Sequence, residues 1–245
     1  GENAHVGESC VSRSDLINEN KRMRRKRMKK LMAVLMVFAI AAVAQAEVIA
    51  TWTFPVSSQV SQDADSQDAN LAGTVTLTRG AGAPATTGAG FRTTGFQNNG
   101  INVANTDFYQ ISLAAATGYE LSLNSISGDF AGTSTFSPTP GVSHQWAYSF
   151  DDSSYTLIDN AVSRVGNGTS DFDFSGTSAL QNIPASSTVY LRYYASGQTS
   201  TGGWGFTSAG FSVDGAVTQT IPEPATMSLL GLGALAMVLR RKMKK

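Results

Sequence analysis

The chain has 245 residues, 18 basic and 18 acidic, and its formal neutrality conceals a strong segregation of charge. Between Glu47 and Pro224 there are four arginines (Arg79, Arg92, Arg164, Arg192), no lysine and fourteen carboxylates, a net charge near −10. Such a surface repels a phosphate backbone, because nucleic-acid affinity rests on Lys and Arg neutralising phosphates, so nucleic-acid binding is excluded. The single cysteine, Cys10, precedes this region, which excludes an internal disulfide, thiol catalysis and cysteine-based zinc sites within it.

Taken in chain order, residues 1–27 precede Met28-Lys29-Lys30, a conventional start, and are read as an upstream extension or a misplaced start. Residues 28–46 read as a secretory signal peptide: a basic flank, the 13-residue apolar run Leu31 to Val43, and Ala44-Gln45-Ala46 with small residues at −3 and −1. Cleavage by signal peptidase is expected after Ala46, making Glu47 the mature N-terminus.

The mature region, 47–220, is long enough for one domain with its own core. It is rich in Gly, Ser, Thr and Ala, with Val, Ile, Phe, Tyr and Trp in short runs between turn formers, and no stretch keeps a helical period. Strands are predicted near 48–54, 73–78, 108–114, 119–130, 144–150, 188–194 and 210–218. Alternation is clearest in Tyr119-Glu120-Leu121-Ser122-Leu123 and in Thr188 to Tyr194, where every second side chain can face a core. These features predict an all-β fold, an antiparallel two-sheet sandwich of jelly-roll type, with an up-and-down barrel as the alternative. Ser57 to Asn70 and Gly80 to Gly100 are predicted as long loops.

Candidate chemistry is sparse. Asp63, Asp65 and Asp68 resemble an acidic Ca²⁺ loop, since hard Ca²⁺ takes six to eight oxygens. An EF-hand would place glycine where Asp68 stands and glutamate where Thr74 stands, so a solvated loop with no metal is the expected state. His144, the one histidine of the mature region, is read as a polar residue at a strand start, and no Gly-x-Ser-x-Gly elbow accompanies it. Asp151-Asp152 reads as a hairpin turn; glycosidases need two facing carboxyls, and nothing pairs Asp151 with Glu120 or Asp129. Most of Trp52, Trp146, Trp204, Tyr109, Tyr148, Tyr190, Tyr193 and Tyr194 are expected in the core or its rim. Trp204, in Gly202-Gly203-Trp204-Gly205-Phe206, is the candidate for an exposed glycan-stacking platform, because glycines flank it.

The tail is the most specific signal. Pro222-Glu223-Pro224-Ala225-Thr226 leads into an apolar run, Met227 to Leu239, closed by the basic cluster Arg240, Arg241 and Lys242. Pro222 and Pro224 hold the backbone extended and open to a protease. The run 227–239 makes a helix of about 20 Å, short against a core of roughly 30 Å, and snorkelling basic residues narrow the gap, so it is predicted as a transmembrane helix whose basic end stays inside.

This three-part arrangement, over about a tenth of the chain, resembles the PEP-CTERM sorting signal of exported bacterial proteins. The resemblance implies a membrane-embedded exosortase as partner, cleavage near Pro222-Glu223-Pro224, and delivery to the cell surface or an extracellular polysaccharide matrix. Phe108 to Leu113, Gly118 to Leu123 and Gly210 to Gly215 are also similar to β-sandwich passenger domains that accompany such tails. The expectation is therefore an exported, non-catalytic surface or matrix protein without cofactor, structural or adhesive in role, with a carbohydrate-binding module or an extracellular glycoside hydrolase as alternatives.

Overall fold

A computed structural model of the chain describes residues 47–132, 140–199 and 203–220. The signal-peptide segment 28–46, with Ala44 and Ala46, and the tail 221–245, with Pro222 to Thr226, the predicted helix 227–239 and Arg240 to Lys242, lie outside these residues. No helix among the described residues is long and apolar enough to cross a membrane.

The strands in order are β1 (Glu47–Trp52), β2 (Gln62–Asp63), β3 (Ser66–Gln67), β4 (Thr76–Arg79), β5 (Phe91–Thr93), β6 (Phe108–Leu113), β7 (Tyr119–Ala131), β8 (Val142–Ser149), β9 (Thr156–Leu157), β10 (Val162–Arg164), β11 (Gly168–Asp173), β12 (Ile183–Pro184), β13 (Val189–Ser196) and β14 (Trp204–Gln219). Among the described residues they form two sheets, and every strand pairing in them is antiparallel. The first runs β11-β7-β14-β1-β3, with β12 on β7 and β5 on β14; the second runs β10-β8-β13-β6-β4-β2, with β9 on β8. Two sheets with free edge strands distinguish a sandwich from a closed barrel.

Side-chain alternation places the core between the sheets. Leu121 and Leu123 of β7 face inward, and so do Ile126 and Phe130, although the parity changes between the two pairs. The switch is a β-bulge: Asp214 pairs with Ser125 and Gly215 with Leu123, leaving Asn124 as the extra residue. A second irregularity lies in β14, where Phe206 and Phe211 face Phe130 and Gly128, so that residues 207–210 loop out of the ladder. Gly210 has φ +82° there, and a Cβ would stand 1.7 Å from the Trp52 carbonyl oxygen, so the detour requires glycine.

The core is built largely from aromatic rings. Trp52 stacks on Phe211 with centroids 4.4 Å apart, and Phe130 stacks on Tyr193 at 5.4 Å and on Trp204 at 5.8 Å, linking the sheets. Each such side chain removes about 150–250 Å² from water, which supplies the main driving force for folding without a disulfide.

The seven predicted strands are present with shifted ends, and the two predicted loops are corrected. Segment 57–70 contains β2 and β3, tied to β4 and β1, and segment 80–100 contains β5, paired to β14. These additions are two or three residues long, too short for a period to show. β11 escapes prediction for a different reason: in Gly168-Thr-Ser-Asp-Phe-Asp173 the outward residues are polar and acidic, and the only large inward side chain within the strand is Phe172.

Candidate functional site

Trp204 is not the exposed loop residue that its flanking glycines suggest. The ring is fully buried in β14, its Nε1–H donates to the Tyr193 hydroxyl at 2.8 Å, and its carbonyl accepts from the Tyr109 hydroxyl at 3.2 Å. Its flanking glycine marks a close backbone approach, not an exposed loop: a Cβ on Gly205 would meet the Phe91 carbonyl oxygen of β5 at 2.2 Å. Trp204 offers no face for stacking sugars. Trp52, Trp146, Tyr109, Tyr193 and Tyr194 are buried as expected, while Tyr148 and Tyr190 are half-buried.

Tyr193 continues the network to His144, which sits within β8 and not at its start. The Tyr193 hydroxyl lies 2.9 Å from His144 Nδ1, and His144 Nε2 lies 3.3 Å from Ser170 Oγ, which accepts from Arg164 Nε at 2.8 Å. An indole N–H can only donate, so Tyr193 accepts from Trp204 and satisfies its own proton on Nδ1, which leaves Nε2 protonated toward Ser170. Burial, and secondarily the Arg164 charge, push the imidazole down to about 3. Phe130 and Phe172 set their rings edge-on to it at 4.6 and 5.2 Å. A neutral, sealed imidazole of this kind ties β8, β11, β13 and β14 together.

The acidic candidates do not converge. Asp63 accepts from Thr76 Oγ1 at 2.6 Å, Asp65 from Thr53 Oγ1 at 2.7 Å, and Asp68 from the Asn70 amide at 2.7 Å. Each carboxylate fastens a different strand or turn, and no group of three metal-capable side chains occurs among the described residues. Asp151 forms the turn after β8: the Ser154 amide, the Ser149 hydroxyl and the Ser153 amide hold it well below the usual carboxylate range. Glu120 accepts from Thr218 Oγ1 and Asp129 from Thr169 Oγ1, both within the first sheet, whereas Asp151 follows β8 of the second.

The described residues also line concave features. A groove of about 340 Å³ on the outer face of the first sheet is lined by Thr51, Thr53, Ser127, Asp129, Thr169 and Ser212 around the β14 detour. A cavity of about 80 Å³ opens where the edge strands β10 and β11 part, lined in part by Trp146, Phe172 and Phe174, with the exposed Asp159 and Asn160 at its mouth. Arg164 crosses that seam beyond the cavity, from β10 to Ser170 and the Thr169 carbonyl. Sequence reasoning places Trp146 in the core or its rim and does not single out Asp159; the two line one cavity through the pairing of β8 with β9 and β10.

The junction with the tail is also visible. β14 ends at Gln219 opposite Tyr119, and the amide and hydroxyl of Thr220 both bond the Gly118 carbonyl, at 2.8 and 2.9 Å. β1 begins at this same pole, with Glu47 opposite Gly215. A family model described as the PEP-CTERM protein-sorting motif matches residues 220–242, starting at that pinned threonine. The tail is a PEP-CTERM sorting motif. It implies an exported protein, recognised by an exosortase and destined for the cell surface or the extracellular space. The all-β passenger is consistent with that assignment. No curated protein and no solved structure matches the chain.

Proposed function

We propose that the protein is a non-catalytic structural or adhesive unit of the cell surface or extracellular matrix, delivered by two terminal signals and held in the membrane only in transit. The observation that carries this reading is the sorting motif at 220–242, which begins where the sandwich ends. We further read the sandwich as a jelly roll. Support comes from the strand orders β1-β14-β7-β11 and β6-β13-β8-β10, which correspond to two interleaved Greek keys.

Replacing Pro222, Glu223 and Pro224 together by alanine is expected to block processing and leave the precursor in the membrane fraction, followed through an internal epitope tag. An uncleaved protein found soluble would sink the reading. N-terminal sequencing of the exported form is expected to begin at Glu47, the first residue of β1; a start upstream of Leu31 would remove the signal-peptide assignment. The passenger is taken to fold without metal, so chelator should shift its melting temperature by no more than about 1 °C, whereas a drop of about 10 °C would restore Asp63, Asp65 and Asp68 as a Ca²⁺ site.

A further inference from the structure

We propose that the groove on the outer face of the first sheet binds an amine-bearing saccharide, with Asp129 taking the ammonium and the hydroxyls of Thr51 and Ser212 taking ring hydroxyls; this rests on the adhesive side of the proposed function. The groove exists because β14 leaves its ladder. Phe206 pairs with Phe130 and Phe211 with Gly128, so Asp129 between them has no partner residue on β14. The detour 207–210 is drawn to the opposite side, toward β1, where the Ser208 carbonyl accepts from the Phe54 amide at 3.1 Å and Gly210 packs on the Trp52 carbonyl. About 340 Å³ opens beside Asp129, at the lower end of the range of about 300–1,000 Å³ for ligand clefts.

The side chains that line this groove face away from the core. Thr51 pairs with Ser212 and Ser212 with Ser127, a row across β1, β14 and β7 whose neighbours along the strands, Trp52, Phe211 and Ile126, are buried on the inner side. Ser127 already donates to Asp171 at 2.6 Å, Thr53 to Asp65 at 2.7 Å, and Thr169 to one oxygen of Asp129. The hydroxyls of Thr51 and Ser212 and the second oxygen of Asp129 take no partner among the described residues, and all three residues are partly open to solvent. Among the described residues that line the groove, Asp129 alone is charged, and Asp65 and Asp171, which hold neighbouring hydroxyls, add to the negative field. That field favours a cation and repels uronates and sulfated chains. Trp52 and Phe211 are buried, so recognition here is polar and not by stacking. A basic peptide would dock through main-chain bonds to a strand edge. This groove instead lies over the inner strands β14 and β7 and presents hydroxyls, which donate and accept as sugar hydroxyls do.

The test follows backbone amide resonances of ¹⁵N-labelled exported protein while a glucosamine, glucose or lysine hexamer is added, at a mildly acid pH that leaves amines protonated and carboxylates ionised. The amides of Thr51, Asp129 and Ser212 are expected to move with the glucosamine hexamer, with Kd on the order of 1 mM, and the glucose hexamer should bind about fivefold more weakly. Asp129→Asn, which keeps an acceptor for Thr169, should cost the glucosamine hexamer about fivefold and the glucose hexamer little. Ser212→Ala should weaken both about threefold. Glu120→Gln removes a charge from the same sheet roughly 30 Å along β7, beyond the screening length, and should leave the affinity unchanged. Four results each overturn the proposal: no shift at the groove with the glucosamine hexamer, equal binding of the glucose hexamer, a lysine hexamer bound as tightly with no loss in Ser212→Ala, or equal losses from Asp129→Asn and Glu120→Gln. Export and processing through the tail, followed by fractionation, are unaffected by any of them.

Discussion

Trp204→Ala is expected to lower the unfolding free energy by about 3–5 kcal/mol, the range for removing a fully buried Trp or Phe. The ring stacks on Phe130 at 14°, meets His144 edge-on at 5.7 Å and donates to Tyr193, so its loss opens a void and strips Tyr193 of a donor at once. For a domain of this size the melting temperature should fall by roughly 10 °C or more. Trp204→Phe keeps most of the packing and should cost about 1–2 kcal/mol, mainly the hydrogen bond. Urea denaturation of both variants measures this; a cost under about 1 kcal/mol for the alanine variant would mean that the ring faces solvent after all.

Acidification is expected to weaken the fold before its carboxylates protonate. His144 is pushed from its ordinary 6.5 down to about 3 by burial. Between those values the unfolded chain binds a proton that the native state refuses, so stability rises with pH across the window. The contribution is complete above pH 6.5 and is lost progressively as pH falls toward 3, on the order of 4 kcal/mol in all. Asp151 and Asp173 are held low by hydrogen bonds and lose their contributions only below the ordinary carboxylate value of 3.8. Asp107 is raised by burial and works weakly in the opposite sense. Denaturation midpoints measured from pH 7 to pH 5 therefore report on the histidine, and His144→Gln should flatten their slope. An unchanged slope in that variant would show that His144 titrates in the native state.

The sequence made the delivery of this protein plain and its interior less so. The tail is legible because a breaker, an apolar run and a basic end act in linear order, with no tertiary partner needed to recognise them. Long strands such as β7 and β13 are legible from their alternation, yet in β7 the pattern continues only because Asn124 bulges, and no residue type announces a bulge. Trp204 was misread because glycine serves two needs, loop freedom and close approach of another strand, and only the pairing of β5 with β14 tells which applies. Trp146 lies fully buried, as the sequence leads one to expect, within the alternating run of β8.

The position of β14 has a mechanical consequence. It is an inner strand of its sheet, flanked by β7 over most of its length and by β1 near the middle, and it ends at Gln219, one residue before the sorting motif begins at Thr220. Tension applied at Thr220 along the axis of β14 strains the bonds to both neighbours together in shear instead of parting them one after another. A passenger tethered by that end resists being torn open by flow, and it would yield far sooner to a pull on an edge such as β11, whose ladder can unzip from one side.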